Sequence, residues 1–179
     1  MTKILAISGS LRTGSSNTAV LQAIGALAPA KVQVVLYSGL SELPHFNPDL
    51  DTETPPPAVG GLRSRLLASD GVLISSPEYA HGVPGTLKNA LDWLVRSGEL
   101  YEKPVALVNT SPRSTHAHAS LLETLNTMSV RLVLEACVTV VLPGRSLDVN
   151  GICSDPEISR ALSLAITEFA RAVAPVASR

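Results

Sequence analysis

Two cysteines in 179 residues, Cys137 and Cys153, stand far from any Cys-x-x-Cys pattern, so neither a disulfide framework nor a paired-thiol redox motif is available. Cys137 lies inside an apolar run, and both read as thiols of a reducing compartment. Clusters of like charge are missing too. The formal net charge is -1 and the lysines and arginines are scattered, which leaves no electrostatic footprint for a nucleic-acid backbone or an anionic membrane. Charged residues make up only 16% against 45% hydrophobic, and that balance excludes a disordered polyelectrolyte. No apolar run reaches the length of a membrane span, and Met1 to Ile7 is too short for a signal peptide. A cytoplasmic protein is expected. No Ser-His-Asp arrangement, paired-carboxylate motif or metal-ligand cluster is visible; no side chain is assigned as catalytic and no metal is expected. His116 and His118 lack the acidic or cysteine companions a metal site needs.

What is present is an alternation of short apolar runs with longer amphipathic stretches. Strands are expected at Lys3 to Ser8, Val32 to Tyr37, Gly71 to Ser75, Pro104 to Thr110 and Cys137 to Val141. Most lack polar alternation, as strands covered on both faces do. Helices are expected at Ser16 to Ala28, Val59 to Ala68, Pro84 to Arg96, Ala117 to Met128 and Pro156 to Ala174, with Pro84 and Pro156 in first turns. The Pro-rich stretch Leu43 to Pro57 and the Gly- and Asn-containing Leu142 to Asp155 read as loops. No linker or repeat interrupts the chain, and residues 1–179 read as one domain. Strand and helix five times over, with right-handed crossovers, gives an α/β three-layer doubly wound parallel sheet of five strands in the order 2-1-3-4-5. Ligands of such folds lie beyond the carboxyl ends of the strands, where the order reverses. That points to the loops after Ser8, Ser75 and Thr110.

The first loop runs Ser8-Gly9-Ser10-Leu11-Arg12-Thr13-Gly14-Ser15-Ser16-Asn17 and opens directly into a helix. Glycines admit close approach of backbone amides, hydroxyls add donors, the helix start offers unpaired amides, and Arg12 adds a cation. These are the requirements of a phosphate site. Capping the helix would need one such residue, not five. The loop has neither the Gly-Lys-Ser/Thr ending of a nucleotide-triphosphate loop nor three spaced glycines of a dinucleotide fingerprint, so a monophosphate without metal suits it. In the second loop, Ser75 to Trp93, two prolines and two glycines stiffen a turn whose amides suit a planar ligand, with Tyr79 as an aromatic wall. Leu87, Leu91 and Trp93 follow with the spacing of core packing, while Lys88, Asn89 and Asp92 suit fixing of the turn and helix.

Gly9-Ser10-Leu11-Arg12 with Ser15 and Asn17, and Pro77-Glu78-Tyr79 followed by Gly82-x-Pro84-Gly85-x-Leu87-Lys88-Asn89-x-x-Asp92-Trp93, resemble the two signatures of the NADPH-dependent FMN reductase family. That family also contains quinone, chromate and azo-dye reductases. The resemblance implies a flavodoxin-like fold, FMN as cofactor and NADPH or NADH as hydride donor. It implies a small acceptor, namely free flavin, a quinone, an azo dye or a metal oxyanion, and assembly as a homodimer or homotetramer. By it, Ser10, Arg12, Ser15 and Asn17 grip the FMN phosphate. Pro77, Glu78 and Tyr79 meet the isoalloxazine edge, largely through main-chain groups.

Two departures stand out. Ala80 replaces the asparagine that follows the tyrosine in the family, removing a polar contact near the ring. In the third loop, Asn109 to His118, Arg113, His116 and Ala117 replace glycines of a Ser-x-Gly-x-x-Gly-Gly pattern beside the ring's pyrimidine end. Ser111 and Arg113 are the candidate ligands there, Arg113 toward either the electron-rich end of reduced flavin or a nicotinamide nucleotide phosphate. The Pro-rich loop also resembles the family's loop after strand two, which borders the active site or a subunit contact.

Three rivals share the fold. A response-regulator receiver needs acidic residues where Ser8 and Ser75 stand, and a flavodoxin-type electron carrier tends to be strongly acidic, unlike this chain. A nucleoside-processing transferase would need a catalytic carboxylate such as Glu78 facing its ligand.

Overall fold

The computed structural model describes residues 1–142 and 148–174. Five parallel pairings build the sheet. Strands β1 (Thr2–Ser8), β2 (Val32–Tyr37), β3 (Gly71–Ser75) and β4 (Pro104–Asn109) lie in the order β2-β1-β3-β4, and the fifth position is shared by β5 (Arg131–Leu132) and β6 (Val138–Thr139). The expected order 2-1-3-4-5 is therefore the order observed.

Neighbouring residues of each central strand point to opposite faces, and both faces are dry. Leu5, Ile7, Val72, Ile74, Val105 and Leu107 pack against helices α2 (Pro57–Leu67), α3 (Gly85–Asp92) and α4 (Thr115–Thr127). Ile4, Ala6, Leu73, Ala106 and Val108 pack against α1 (Ser16–Leu27), α5 (Val149–Ser154) and α6 (Pro156–Val173). This double burial explains the near-continuous apolar runs of the strands.

The fifth strand differs from expectation. Instead of a run at Cys137 to Val141, two short pieces flank a 3₁₀ turn at Leu134–Ala136. β5 pairs with Pro104 and Val105, while β6 pairs with Val108 and Asn109. Between them the amide of Leu107 donates to Cys137 Sγ at 3.3 Å, and the thiol donates to the carbonyl of Val133 at 3.5 Å. The cysteine thus fills a gap in the ladder. Burial pushes its pKa up.

Helix ends differ as well. α3 stops at Asp92, four residues before the expected Arg96, because the chain then turns tightly and the carbonyl of Trp93 is taken by the Arg63 guanidinium at 2.6 Å. α2 begins at Pro57, the last of three prolines, where a missing amide costs nothing. Pro84 sits just before α3, and Pro156 opens α6 behind the capping Asp155. The stretch expected as a loop from Leu142 to Asp155 contains α5 in its second half, capped by Asp148, whose carboxylate accepts from Gly151 N at 2.8 Å. Residues 143–147 of that stretch lie outside the described residues.

The Pro-rich loop is held by the motif that follows the second turn. The carbonyl of Pro44 accepts from Asn89 Nδ2 at 3.0 Å and from Trp93 Nε1 at 2.8 Å, and Asn89 Oδ1 accepts the amide of Phe46 at 2.7 Å. Phe46 meets the Trp93 ring edge-on at 5.1 Å. Asn89 and Trp93 therefore fix a loop more than forty residues upstream. Behind them Asp51, almost buried, pairs with Arg63 at 2.7 Å.

Candidate functional site

Beyond the carboxyl ends of β1, β3 and β4 lies a cleft of about 730 Å³. That volume falls within the usual range of cofactor pockets, roughly 300 to 1,000 Å³. All nine candidate residues line it: Ser10, Arg12, Ser15 and Asn17 from the first loop, Pro77, Glu78 and Tyr79 from the second, Ser111 and Arg113 from the third. The strand ends bring together segments that are about a hundred residues apart in the chain.

The first loop folds by consuming its own acceptors. Ser10 Oγ accepts the amide of Arg12 at 3.3 Å, and Ser15, the N-cap of α1, accepts the amide of Thr18 at 3.5 Å. Asn17, buried in the first turn of α1, uses Oδ1 to accept the hydroxyls of Ser75 at 2.9 Å and Thr110 at 3.4 Å. Ser8 Oγ accepts Thr18 Oγ1 at 2.8 Å and the amide of Ser10 at 3.3 Å. A hydroxyl whose oxygen is occupied still has a proton to give, and an amide whose oxygen is occupied still has its NH₂. The wall therefore presents donors and a guanidinium, with few acceptors. Two glycines make this geometry possible: Gly14 has φ +72°, and a Cβ on Gly9 would lie 3.0 Å from Ser76 Oγ.

Ser15 thus caps the helix as the simplest reading required, and the remaining polar residues of the loop are left for other work. Sequence reasoning missed the part played by Ser8, Ser75, Thr18 and Thr110. The signal was present in outline, since hydroxyl residues end β1 and β3 and follow β4.

The second loop makes a tight turn from Tyr79 to Gly82, with paired backbone hydrogen bonds of 3.1 and 2.9 Å. Both central residues are left-handed, Ala80 at φ 49° and His81 at φ 60°. Asparagine tolerates that conformation better than alanine, so the departure at position 80 concerns backbone strain as well as polarity. Tyr79 is 56% exposed beside the cleft. Glu78 reaches across to the third loop, where its Oε2 accepts the amide of Ala117 at 2.8 Å in the first turn of α4. The His81 and His116 rings stack at 4.2 Å between the same two loops. His116 and Ala117, which replace family glycines, are therefore the helical anchor of the third loop, held by Glu78 and His81.

The third loop is a turn over residues 111–114, closed by Ser114 N on the carbonyl of Ser111 at 3.2 Å, with Pro112 and Arg113 at its tip. Ser111 Oγ accepts the amide of Arg113 at 3.3 Å, and Ser111 N donates to Asn109 Oδ1 at 3.1 Å. Among the described lining residues the formal charges are Arg12, Glu78 and Arg113. One oxygen of the carboxylate accepts from α4, and neither arginine belongs to an ion pair among the described residues.

Comparison with known proteins agrees with this geometry. A family profile described as NADPH-dependent FMN reductase matches residues 2–143. An NAD(P)H-dependent FMN reductase of Pseudomonas aeruginosa is 40% identical over 111 residues, covering 61% of this chain and 60% of that protein. A probable NADPH:quinone oxidoreductase of Oryza sativa subsp. japonica is 31% identical over 169 residues, 89% of this chain and 83% of that protein. The match thus spans about three fifths of the Pseudomonas relative and most of the rice one. Among solved structures, a flavoenzyme NAD(P)H:(acceptor) oxidoreductase of Paracoccus denitrificans superposes with a TM-score of 0.85 at 27% identity, covering 97% of both chains. With the two sequence signatures on adjoining walls of one cleft and the profile matching most of its length, the chain belongs to the NADPH-dependent FMN reductase family.

Proposed function

We propose that the cleft holds FMN and that the protein is an oxidoreductase passing a hydride from NADPH or NADH to a small acceptor: free flavin, a quinone, an azo dye or a metal oxyanion. The observation that carries this reading is the donor-rich wall of the first loop. Ser10, Ser15 and Asn17 spend their oxygens on internal hydrogen bonds and leave donors beside Arg12. An oxyanion is the ligand such a wall fits, and the start of α1 adds its dipole.

When bound, FMN supplies the hydride-accepting and electron-donating chemistry, and the chain supplies position and field. Arg12, Ser10, Ser15 and Asn17 hold the phosphate in this proposal. Pro77, Glu78 and Tyr79 form the edge against the ring, with one carboxylate oxygen of Glu78 bracing α4. Ser111 and Arg113 close the cleft from the third loop. Donor and acceptor take turns in one cleft, so ping-pong kinetics are expected.

The two apolar clusters pack on the same sheet, which supports reading the chain as a single domain. Val95 and Tyr101, each well exposed beside a groove of about 460 Å³, support assembly as a homodimer or homotetramer. A reducing cytoplasmic setting suits two unpaired cysteines. Among the described residues no helix is long and apolar enough to cross a membrane.

The test is an absorbance titration of the purified protein with FMN, followed by NADPH or NADH under anaerobic conditions. The flavin spectrum should shift on binding and bleach on addition of the nicotinamide. A spectrum unchanged by the protein would remove the proposal.

A further inference from the structure

The cleft carries the same small device twice. In Ser10-Leu11-Arg12 the serine Oγ accepts the amide of the arginine two residues on, at 3.3 Å, and in Ser111-Pro112-Arg113 the serine does the same at 3.3 Å. Each serine keeps a hydroxyl proton to donate, and each arginine side chain is exposed at the cleft. In both cases the result is a hydroxyl donor beside a guanidinium, presented on a backbone held by its own hydrogen bond. Pro112 and the Ser114-to-Ser111 bond restrict the second one further, so little chain entropy is lost when Arg113 takes a ligand.

We propose that Ser111 and Arg113 form a second oxyanion subsite, distinct from the flavin phosphate site, that binds an anionic group of the second substrate. This rests on the reading that Arg12 and its neighbours hold FMN. Charge supports it. In that reading the first loop satisfies the terminal phosphate, Glu78 accepts from Ala117 and pairs with neither arginine, and Arg113 is left with no ion pair among the described residues. A guanidinium with a hydroxyl donor matches an oxyanion, and the two substrates offer one each: a phosphate of the nicotinamide dinucleotide, or a sulfonate or metal oxyanion on the acceptor.

The experiment compares wild type with Arg113→Gln and Arg113→Lys, all loaded with FMN. FMN affinity is measured first, by absorbance or fluorescence titration; failure of wild type to bind FMN sinks the functional reading itself, whereas the subsite is judged only on loaded protein. Equilibrium binding of NADP⁺ and NAD⁺ is then titrated, and kcat/KM is measured with a naphthoquinone sulfonate and its unsulfonated parent. A loss of roughly ten- to 150-fold in Arg113→Gln, partly restored in Arg113→Lys, is expected for the oxyanion ligand. Confined to NADP⁺, it identifies the 2′-phosphate; shared by NADP⁺ and NAD⁺, the bridging pyrophosphate; confined to the sulfonated quinone, the acceptor. Unchanged dinucleotide binding and unchanged kcat/KM with both quinones in Arg113→Gln, or a loss of FMN affinity as large as that of the substrates, overturns the subsite.

Discussion

Glu78 and Ala117, 39 residues apart, are joined by a hydrogen bond of 2.8 Å from the Ala117 amide to the Glu78 carboxylate. The bond caps α4 from a neighbouring loop, since the helix's own N-cap, Ser114, makes no side-chain capping bond. It is also what ties the second wall of the cleft to the third.

Removing the carboxylate should therefore loosen both walls. Glu78→Ala is expected to cost about 1 to 2 kcal/mol, the worth of a helix cap. Glu78→Gln keeps an acceptor and loses only the charge–dipole part, about 0.3 to 1 kcal/mol. Thermal unfolding gives the ranking, and faster hydrogen exchange at the Ala117 amide in Glu78→Ala locates the damage. Equal stability of all three proteins would deny the cap its importance.

Arg12 is exposed and makes no ion pair among the described residues, so its loss should leave the fold intact. Arg12→Ala is expected to weaken FMN binding by about 1.5 to 3 kcal/mol, the range of a charged hydrogen bond. Titration of the variant with FMN, alongside its melting curve, is the measurement. Unchanged affinity would remove Arg12 from the phosphate site.

Cys137 fills the gap between β5 and β6, and Cys137→Ala leaves the buried amide of Leu107 without a partner. The expected cost is about 1 to 3 kcal/mol, and Cys137→Ser, which restores an acceptor, should recover part of it. The thiol also sets a pH dependence. Burial raises its pKa above the ordinary 9.0, so the folded state holds this proton more tightly than the unfolded state does. Its contribution is intact below pH 9.0 and is lost as the pH climbs through the raised value. Tyr37, raised mainly by burial, acts in the same direction, and Lys103, lowered mainly by burial, acts in the opposite one. Comparing urea unfolding of wild type and Cys137→Ser across the alkaline range cancels both and isolates the cysteine. Parallel pH profiles would contradict the assignment.

Ala80 occupies a left-handed position, which costs an L-residue about 1 to 2 kcal/mol. Ala80→Asn should therefore raise stability by about 0.5 to 1 kcal/mol, read as a higher melting temperature. Ala80→Gly relieves the same strain but adds freedom to the unfolded chain, so its gain should be smaller. A lower melting temperature for the asparagine variant would show that the turn prefers alanine for another reason.

Much of the fold was legible because its signals are local. The apolar runs of β1, β3 and β4 are continuous since both faces of each strand are covered, and the loop from Ser8 to Asn17 declares itself by its density of small donors. The weaker parts depended on partners far away in the chain. The helix after Pro84 ends earlier than its spacing suggests because the tightening after Asp92 is fixed by Arg63 and by the Pro-rich loop. At the fifth position β6 lies inside the expected Cys137 to Val141, whereas β5 is not legible because an edge position tolerates Arg131 and an interrupted ladder, neither of which leaves an apolar run.

Hydrophobic periodicity and loop chemistry depend on neighbours along the chain, so they suffice to specify a parallel sheet covered on both faces and three polar loops at one end of it. Which oxygens those loops would spend on themselves was decided by tertiary structure. Asn17 meets Ser75 and Thr110, Glu78 meets Ala117, and Cys137 meets Leu107 only once the strands lie side by side. Hydrogen bonds of that kind are set by distances between strand ends, and those distances exist only in the folded sheet.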